Sequence, residues 1–428
     1  MRIGLITGEF PPAIGGVGDH TARLARELTV AGHEVEVLTS ATGEGLAANA
    51  GAAGATAGGS SSGEGRGSQP PVLRQVRRWD GRILVRVPAL AGERGWDIVH
   101  IQYQPAAYGL HGAINLLPLA IRLGYGRLRR STLPAPRAAV VTTFHDLRVP
   151  YLFPKAGPLR TLAVRILARF SDATIAVAED DLPQLKRWRP RAPAPATRHV
   201  PLGNQLDAAP LAGCDSHSLR RRFGLHPEKP VIGYLGFVNR SKGVLELIQA
   251  VSGLVRDGVD LQLLMIGEQL GTADPTNRAY HAEVQARIAA LALADRVRWT
   301  GYLPEAEITG SVRMVDVMAL PFLDGASQRR TSLIAALAQG VPVVTTGAVG
   351  GVRAAAWLRT PEGEDGALLV PRGDAAALGH ALALLLRDDE RRAAFGAAGR
   401  AVSGRFAWPA VVDQTVSVYQ AALAASDG

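Results

Sequence analysis

The sequence predicts an α/β protein of two doubly wound parallel-sheet domains in tandem. Three observations predict it. The chain has 428 residues, enough for two or three domains, each with its own core. Short apolar runs alternate with stretches of helical spacing, the pattern of strand–helix–strand units whose strands lie parallel. That alternating series runs twice, with a Pro- and Ala-rich stretch between the two runs.

The first forty residues read strand, loop, helix, strand. Ile3 to Thr7 is a short apolar run, and Pro11, Pro12, Gly15, Gly16 and Gly18 break the chain. Leu24, Leu28 and Ala31 give helical spacing before Gly32 ends it, and Val35, Val37 and Leu38 form a second strand. Over 41–71 the composition collapses to Ala, Gly and Ser, which cannot bury a core, so a mobile loop is expected there. Strands follow at Ile83 to Val87, Asp97 to Gln102, Ala138 to Thr143 and Ala173 to Val177, with a helix over Leu159 to Phe170. The Pro- and Ala-rich stretches Pro190 to Ala196 and Pro201 to Asp215 mark the exit from the first domain. The second series has strands at Val231 to Gly236, Leu261 to Ile266, Val297 to Thr300, Val315 to Leu320, Val341 to Thr345 and Ala367 to Val370. Its helices lie at Val244 to Arg256, Tyr280 to Ala292 and Ser332 to Gln339. The expected domains are 1–205 and 206–405, and a last helix within 406–428, near Pro409 to Ala422, packs back on the first domain. Two such domains place a ligand cleft between the carboxyl ends of two sheets.

Composition narrows the function classes. Hydrophobic residues make up 47% and charged residues 20%, with mean hydropathy +0.08, the balance of a folded chain and not of a disordered one. The single cysteine, Cys214, excludes intramolecular disulfides, thiolate zinc sites and cysteine-held iron–sulfur clusters. The histidines show no metal-ligand spacing, so no metal and no cofactor is expected. No run approaches the roughly 18 apolar residues of a spanning helix, and the start lacks a signal-peptide pattern, so a cytoplasmic protein is expected. The net charge is +9, with 43 arginines against four lysines, which favours anionic partners. Nucleic acid is not expected among them, because the arginines are spread out and aromatics form only 5% of the chain. The segment Ala113 to Arg130 joins Ile114, Leu116, Leu117, Leu119 and Ile121 to Arg122, Arg127, Arg129 and Arg130. It reads as a core helix with a basic end or as a peripheral contact with the inner face of the cell membrane.

Four places carry chemistry. Gly15-Gly16-Val17-Gly18 follows the first strand and opens a helix, where backbone N–H groups and the helix dipole receive an anion; a turn serving geometry alone fits equally well, and the spacing departs from the dinucleotide-binding fingerprint. Gly236 ends a strand and Lys242-Gly243 opens a helix six residues later, placing one flexible cation where a diphosphate lies. The plain alternative is a solvated lysine. The loop Pro321 to Ser332 brings Asp324, Ser327, Arg329, Arg330, Thr331 and Ser332 to a helix amino end, a combination suited to an anion. His145 and Asp146 follow the strand Val140 to Phe144, and His145 at the strand's end has a better claim to a site than His100, which reads as a core histidine. No Gly-x-Ser-x-Gly elbow and no phosphate loop ending in Gly-Lys-Ser/Thr occurs.

Several of these residues recur in a known order. They are Phe10-Pro11-Pro12 with Gly15-Gly16-Val17-Gly18, Asp97-Ile98-Val99-His100, Thr143-Phe144-His145-Asp146, Val200-Pro201-Leu202-Gly203, Tyr234-Leu235-Gly236 with Lys242-Gly243, and Ala336-Leu337-Ala338 with Gly340-Val341-Pro342-Val343-Val344. In this order the chain resembles, over essentially its whole length, the group 1 (family 4) retaining glycosyltransferases of the GT-B fold. The resemblance implies two Rossmann-like domains, a nucleotide diphosphate sugar held mainly by the second, a saccharide or lipid-linked acceptor held mainly by the first, and no required metal. It implies that Gly16 lies near the donor phosphates, that His145 approaches the transferred sugar, and that Lys242 neutralises the leaving diphosphate. The acceptor hydroxyl then attacks from the leaving-group face, with the phosphate as base. The chain departs from the family at three positions. The two glutamates usual in the helix leading to Gly340 are Ser327 and Ala335, and an arginine usual after Gly236 is Phe237. Arg240, Arg329 and Arg330 are the candidates to restore the phosphate contact, and Asp324 a sugar-hydroxyl contact. The missing carboxylates also support a second reading, a catalytically weakened scaffold or regulatory protein that binds a nucleotide sugar or glycan.

Overall fold

The computed structural model describes residues 1–13, 15–41, 69–124, 137–147, 157–189, 196–206, 215–267, 275–347 and 356–426. Most of the expected loop, parts of both Pro- and Ala-rich stretches with Cys214, and Arg127, Arg129 and Arg130 lie outside the described residues. In chain order the first elements are β1 (Arg2–Ile6), α1 (Gly16–Val30), β2 (Glu34–Ser40), β3 (Val72–Val76), α2 (Ile83–Arg94), β4 (Ile98–Tyr103), α3 (Ala113–Arg122), β5 (Ala139–Phe144), α4 (Gly157–Phe170), β6 (Ala173–Ala176), α5 (Leu182–Trp188) and β7 (Thr197–His199). Then come α6 (Ser216–Arg222), β8 (Val231–Leu235), α7 (Val244–Arg256), β9 (Gln262–Ile266), α8 (Pro275–Ala290), β10 (Val297–Trp299), α9 (Glu305–Arg313), β11 (Val317–Leu320), α10 (Thr331–Ala338), β12 (Val343–Thr346), β13 (Leu368–Val370), α11 (Ala375–Arg387), α12 (Asp389–Ser403) and α13 (Trp408–Ser426).

The chain divides into two compact units, Met1–Gly203 with Trp408–Gly428, and Asn204–Ala407. Each is built on one parallel sheet. The first has the strand order β3-β2-β1-β4-β5-β6-β7 and the second β10-β9-β8-β11-β12-β13. Both are the doubly wound sheets expected, and in each the order reverses once, between β1 and β4 and between β8 and β11. Strands buried on both faces read as unbroken apolar runs, and β4, β5, β8 and β9 are buried at every residue.

In the first unit, α13 lays Trp408, Val411, Val412, Val418 and Tyr419 into one core with Ile3, Leu5, Leu24, Leu28, Val141 and Ile175. A helix this apolar is stable only where its long face is covered. Two local expectations are corrected. Ile83 to Val87 is the start of α2 and not a strand. The run of Ile, Leu and Val looks extended, but Ile83, Val87 and Ala91 are its buried positions while Val85 is exposed; a helix turns i+2 away from i and i+4, whereas a strand would bury all three together. The strands β3 and β7 were not foreseen. β3 carries Arg74 and Gln75 at a sheet edge, and β7 is three residues long, so neither shows an apolar run. Finally, α3 spends its apolar face inside the unit, burying Ile114, Leu117, Ala120 and Ile121, and Arg122 pairs with the buried Asp172 at 3.3 Å. On its other side α3 keeps Leu116 40% exposed, and Leu123, just past its end, is 63% exposed. No described helix is long and apolar enough to cross a membrane.

Candidate active site

In the second unit the strand order reverses between β8 and β11, and doubly wound sheets bind ligands outside the strand carboxyl ends at such a point. The loops leaving both strands carry the predicted residues. Gly236 follows β8 with φ +121°, and a Cβ there would lie 2.6 Å from Lys242 Nζ, so glycine makes room for the ammonium. A 3-10 turn, Arg240–Lys242, then meets Gly243 at φ +67°. A Cβ on Gly243 would lie 2.0 Å from the Pro321 carbonyl oxygen, and Leu323 N donates to Ser241 O at 2.8 Å. The two loops are therefore locked together through their backbones.

The Lys242 ammonium has no hydrogen-bond acceptor and no carboxylate partner among the described residues, and its Nζ sits 5.9 Å from the centre of the Phe237 ring. Burial, with the Arg330 guanidinium adding to it, pulls the Lys242 ammonium down to about 8. Arg330 pairs with Asp324 and lies 4.6 Å over the Phe322 ring. Arg330 thus has a carboxylate partner and Lys242 none among the described residues, and the local excess is positive. Arg240 is turned elsewhere: it pairs with Glu283 at 2.9 Å and lies over Tyr280 at 5.0 Å. Ser327 serves the turn, its carbonyl accepting from Arg330 N at 3.0 Å, and Arg329 is partly buried beside it. Thr331 and Ser332 open α10, whose start has no side-chain cap. Ala335 is 2% exposed and belongs to the apolar core, so that position has been absorbed into packing.

The first unit gathers polar groups at its own strand ends. The glycine loop departs from expectation, because the chain supplies its own anion. Glu9 Oε1 accepts from Val17 N at 3.1 Å and Gly18 N at 3.2 Å, and a Cβ on Gly15 would lie 2.3 Å from that oxygen. Helix amino ends attract carboxylates for the same reason that they attract phosphates. Among the described residues the Gly16 N–H has no acceptor. His145 is buried, its Nε2 2.8 Å from Gln102 Oε1, its ring edge-on to His20 at 5.3 Å. His20 lies 5.5 Å from Trp408, and its Nδ1 is enclosed without a partner. Burial is the main cause holding all three histidines of this layer neutral. It lowers His20 to about 4, His100 to about 3 with His20 adding, and His145 well below its ordinary value with His20 and His100 adding. His100 is the core histidine expected, with Nδ1 2.7 Å from Tyr419 Oη and Nε2 2.7 Å from Thr143 Oγ1. Glu9, His20 and Gln102 were not singled out from the sequence. The one available signal is Gln102, standing two residues from His100 in the buried Ile98–Tyr103 run, since a buried amide needs partners.

Two doubly wound parallel sheets in one chain, each with polar groups at its switch point, define the GT-B class of glycosyltransferase folds. The fold matches that of Anabaena Alr3699/HepE, solved in complex with UDP and glucose, at a TM-score of 0.68 and 18% identity, covering 97% of this chain and 98% of that one. Residues 14–203 match the family described as Glycosyltransferase Family 4 and residues 229–388 that described as Glycosyl transferases group 1. The chain belongs to these group 1, family 4 glycosyltransferases. It is 28% identical over 427 residues to a phosphatidyl-myo-inositol mannosyltransferase of Mycobacterium leprae, covering 98% of this chain and 96% of that one. It is 32% identical over 190 residues to a 2-deoxystreptamine glucosyltransferase of Streptomyces kanamyceticus, covering 44% of this chain and 45% of that one.

Proposed function

We propose that this glycosyltransferase moves a hexosyl group from a nucleotide diphosphate sugar to a saccharide or lipid-linked acceptor, with retention at the anomeric carbon and without a metal ion. Within that acceptor class we propose a cyclitol, because the two relatives are named for transfer to a myo-inositol lipid and to 2-deoxystreptamine. The observation that carries the reading is the ammonium of Lys242, which no carboxylate of the described chain answers, beside the Arg330 guanidinium at the switch point of the second unit.

The chemistry follows from charge. As the bond from the anomeric carbon to the diphosphate oxygen opens, its electron pair goes to the leaving phosphate. The acceptor hydroxyl forms the new bond from the same face, and its proton passes to that phosphate. Negative charge grows on the diphosphate only as the reaction proceeds, so a fixed cation there stabilises the transition state more than the bound donor. Lys242 takes that role in this proposal, with Arg330, Arg329 and the start of α10 at Thr331 and Ser332 holding the diphosphate. Side chains supply the positive charge that a divalent cation supplies elsewhere.

Purified protein incubated in EDTA with UDP-, GDP-, ADP- and dTDP-sugars, and with myo-inositol, 2-deoxystreptamine or phosphatidylinositol vesicles, tests this reading. One donor is expected to release nucleoside diphosphate and yield a product of unchanged anomeric configuration by NMR. Ser327 and the buried Ala335, which stand where the family has glutamates, favour the second reading of a weakened binding protein. Donor binding with no release under any acceptor supports that alternative and sinks the transferase.

A further inference from the structure

We infer that Gln102 is a positioning residue that fixes His145 as the Nε2–H tautomer, so that Nδ1 presents a lone pair to a substrate hydroxyl. The backbone sets up the pair. β4 and β5 run parallel with Gln102 opposite Thr143 and Tyr103 opposite Phe144, and His145 N donates to Tyr103 O at 3.0 Å. The end of β5 is thereby pinned beside the end of β4. His100 and Gln102, two residues apart on one strand, face the same side of the sheet.

The hydrogen bonding then determines the proton's place. Gln102 Oε1 lies 2.8 Å from His145 Nε2, and an amide carbonyl oxygen only accepts, so Nε2 carries the hydrogen. A neutral imidazole has one N–H, which leaves the lone pair on Nδ1. Burial keeps His145 neutral, so the choice of tautomer is real. The amide of Gln102 is held at its other end: its Nε2 lies 3.2 Å from His100 Nε2 and 3.4 Å from His100 Nδ1. His100 is clamped in turn between Tyr419 and Thr143. Tyr108 Oη lies 2.9 Å from both Gln102 O and Ile6 O, its one hydrogen shared between the two carbonyls, which ties the carrier strand to β1. The whole array is buried, so its parts do not exchange partners with water.

His145 Nδ1 has no partner among the described residues. In the Nε2–H tautomer that atom accepts an O–H and cannot donate to a phosphate or to a departing oxygen. The proposed role of His145 near sugar is therefore that of an acceptor for a hydroxyl, a consequence that rests on the transferase reading above.

Ring nitrogen shifts of protein labelled with 15N-histidine separate a protonated nitrogen from one bearing a lone pair, and a His145→Asn sample assigns the His145 signals. Wild-type protein is expected to show Nε2 protonated and Nδ1 bare. Gln102→Met, which keeps the volume and removes the carbonyl, is expected to give a mixture of tautomers. It should also lower turnover about tenfold, the worth of roughly one hydrogen bond, with nucleoside diphosphate affinity within about twofold. A bare Nε2 in wild type, unchanged shifts in Gln102→Met, or unchanged turnover in Gln102→Met overturns the inference. The shift measurement needs no substrate, so it stands or falls apart from the transferase reading, which fails only if wild type releases no nucleoside diphosphate from any donor.

Discussion

Lys242 is a cation that the described chain leaves without a counter-charge, and its behaviour with pH follows from that. Its ammonium is pulled down to about 8 by burial and by Arg330. The charged form therefore dominates below pH 8 and is lost as pH rises through that value. Between pH 7 and pH 9 the ammonium falls from about nine-tenths to about one-tenth of the free enzyme. Calorimetric titration with nucleoside diphosphate is expected to show affinity weakening severalfold over that range in wild type, and weak, pH-independent binding in Lys242→Gln. The residue was legible in the sequence because it is one of four lysines among 43 arginines at a strand-to-helix turn. Glu9 was not legible. Its carboxylate reaches Val17 and Gly18 across the loop, and sequence order places it among turn residues with no hint that it folds back. The sequence offers Arg240 as a phosphate contact, and in the structure its guanidinium pairs with Glu283, which sequence order does not bring close.

At the scale of elements, two junctions decide the site. Gly243 joins the 3-10 turn to α7 in a left-handed conformation, with Pro321 O where a side chain would begin. Gly243→Ala combines backbone strain with a collision, and a loss of roughly 1–3 kcal/mol is expected, seen as an earlier thermal unfolding of the second unit. The layer of buried histidines between β4, β5, α1 and α13 predicts acid sensitivity. The folded pKa values of about 4 for His20 and about 3 for His100 lie below the unfolded value of 6.5. Between these limits the unfolded chain binds protons that the folded chain refuses, so stability is full above pH 6.5 and falls on acidification. At pH 5 the loss is roughly 2 kcal/mol for each such histidine, and melting curves recorded from pH 7.5 to pH 5 should show it. The strands β8 to β13 each begin within two residues of where their apolar runs start, because a strand covered on both faces must be apolar throughout. Edge strands have no such constraint, which is why β3 and β7 escaped notice. The sequence of α2 reads as a strand because Ile83, Val85 and Val87 favour extension locally, while what Ile83, Val87 and Ala91 cover decides for the helix.

For the molecule as a whole, the repeated alternation of strand and helix was enough to foretell two doubly wound sheets, and the ordered motifs were enough to name the family. The electrostatic arrangement was not readable at that level. A net charge of +9 says only that anions are favoured; which cations are already answered by carboxylates depends on contacts between residues distant in sequence. In the second unit those contacts pair Arg240 with Glu283 and Arg330 with Asp324 and, among the described residues, leave Lys242 unanswered. The most direct measurement is the rate of nucleoside diphosphate release from the accepted donor, wild type against Lys242→Ala, with both proteins shown to be folded by circular dichroism. If Lys242 meets the charge that grows on the leaving diphosphate, turnover falls about 10²–10³-fold. Equal turnover in the two proteins would contradict that role and remove the basis for placing the leaving group at this turn.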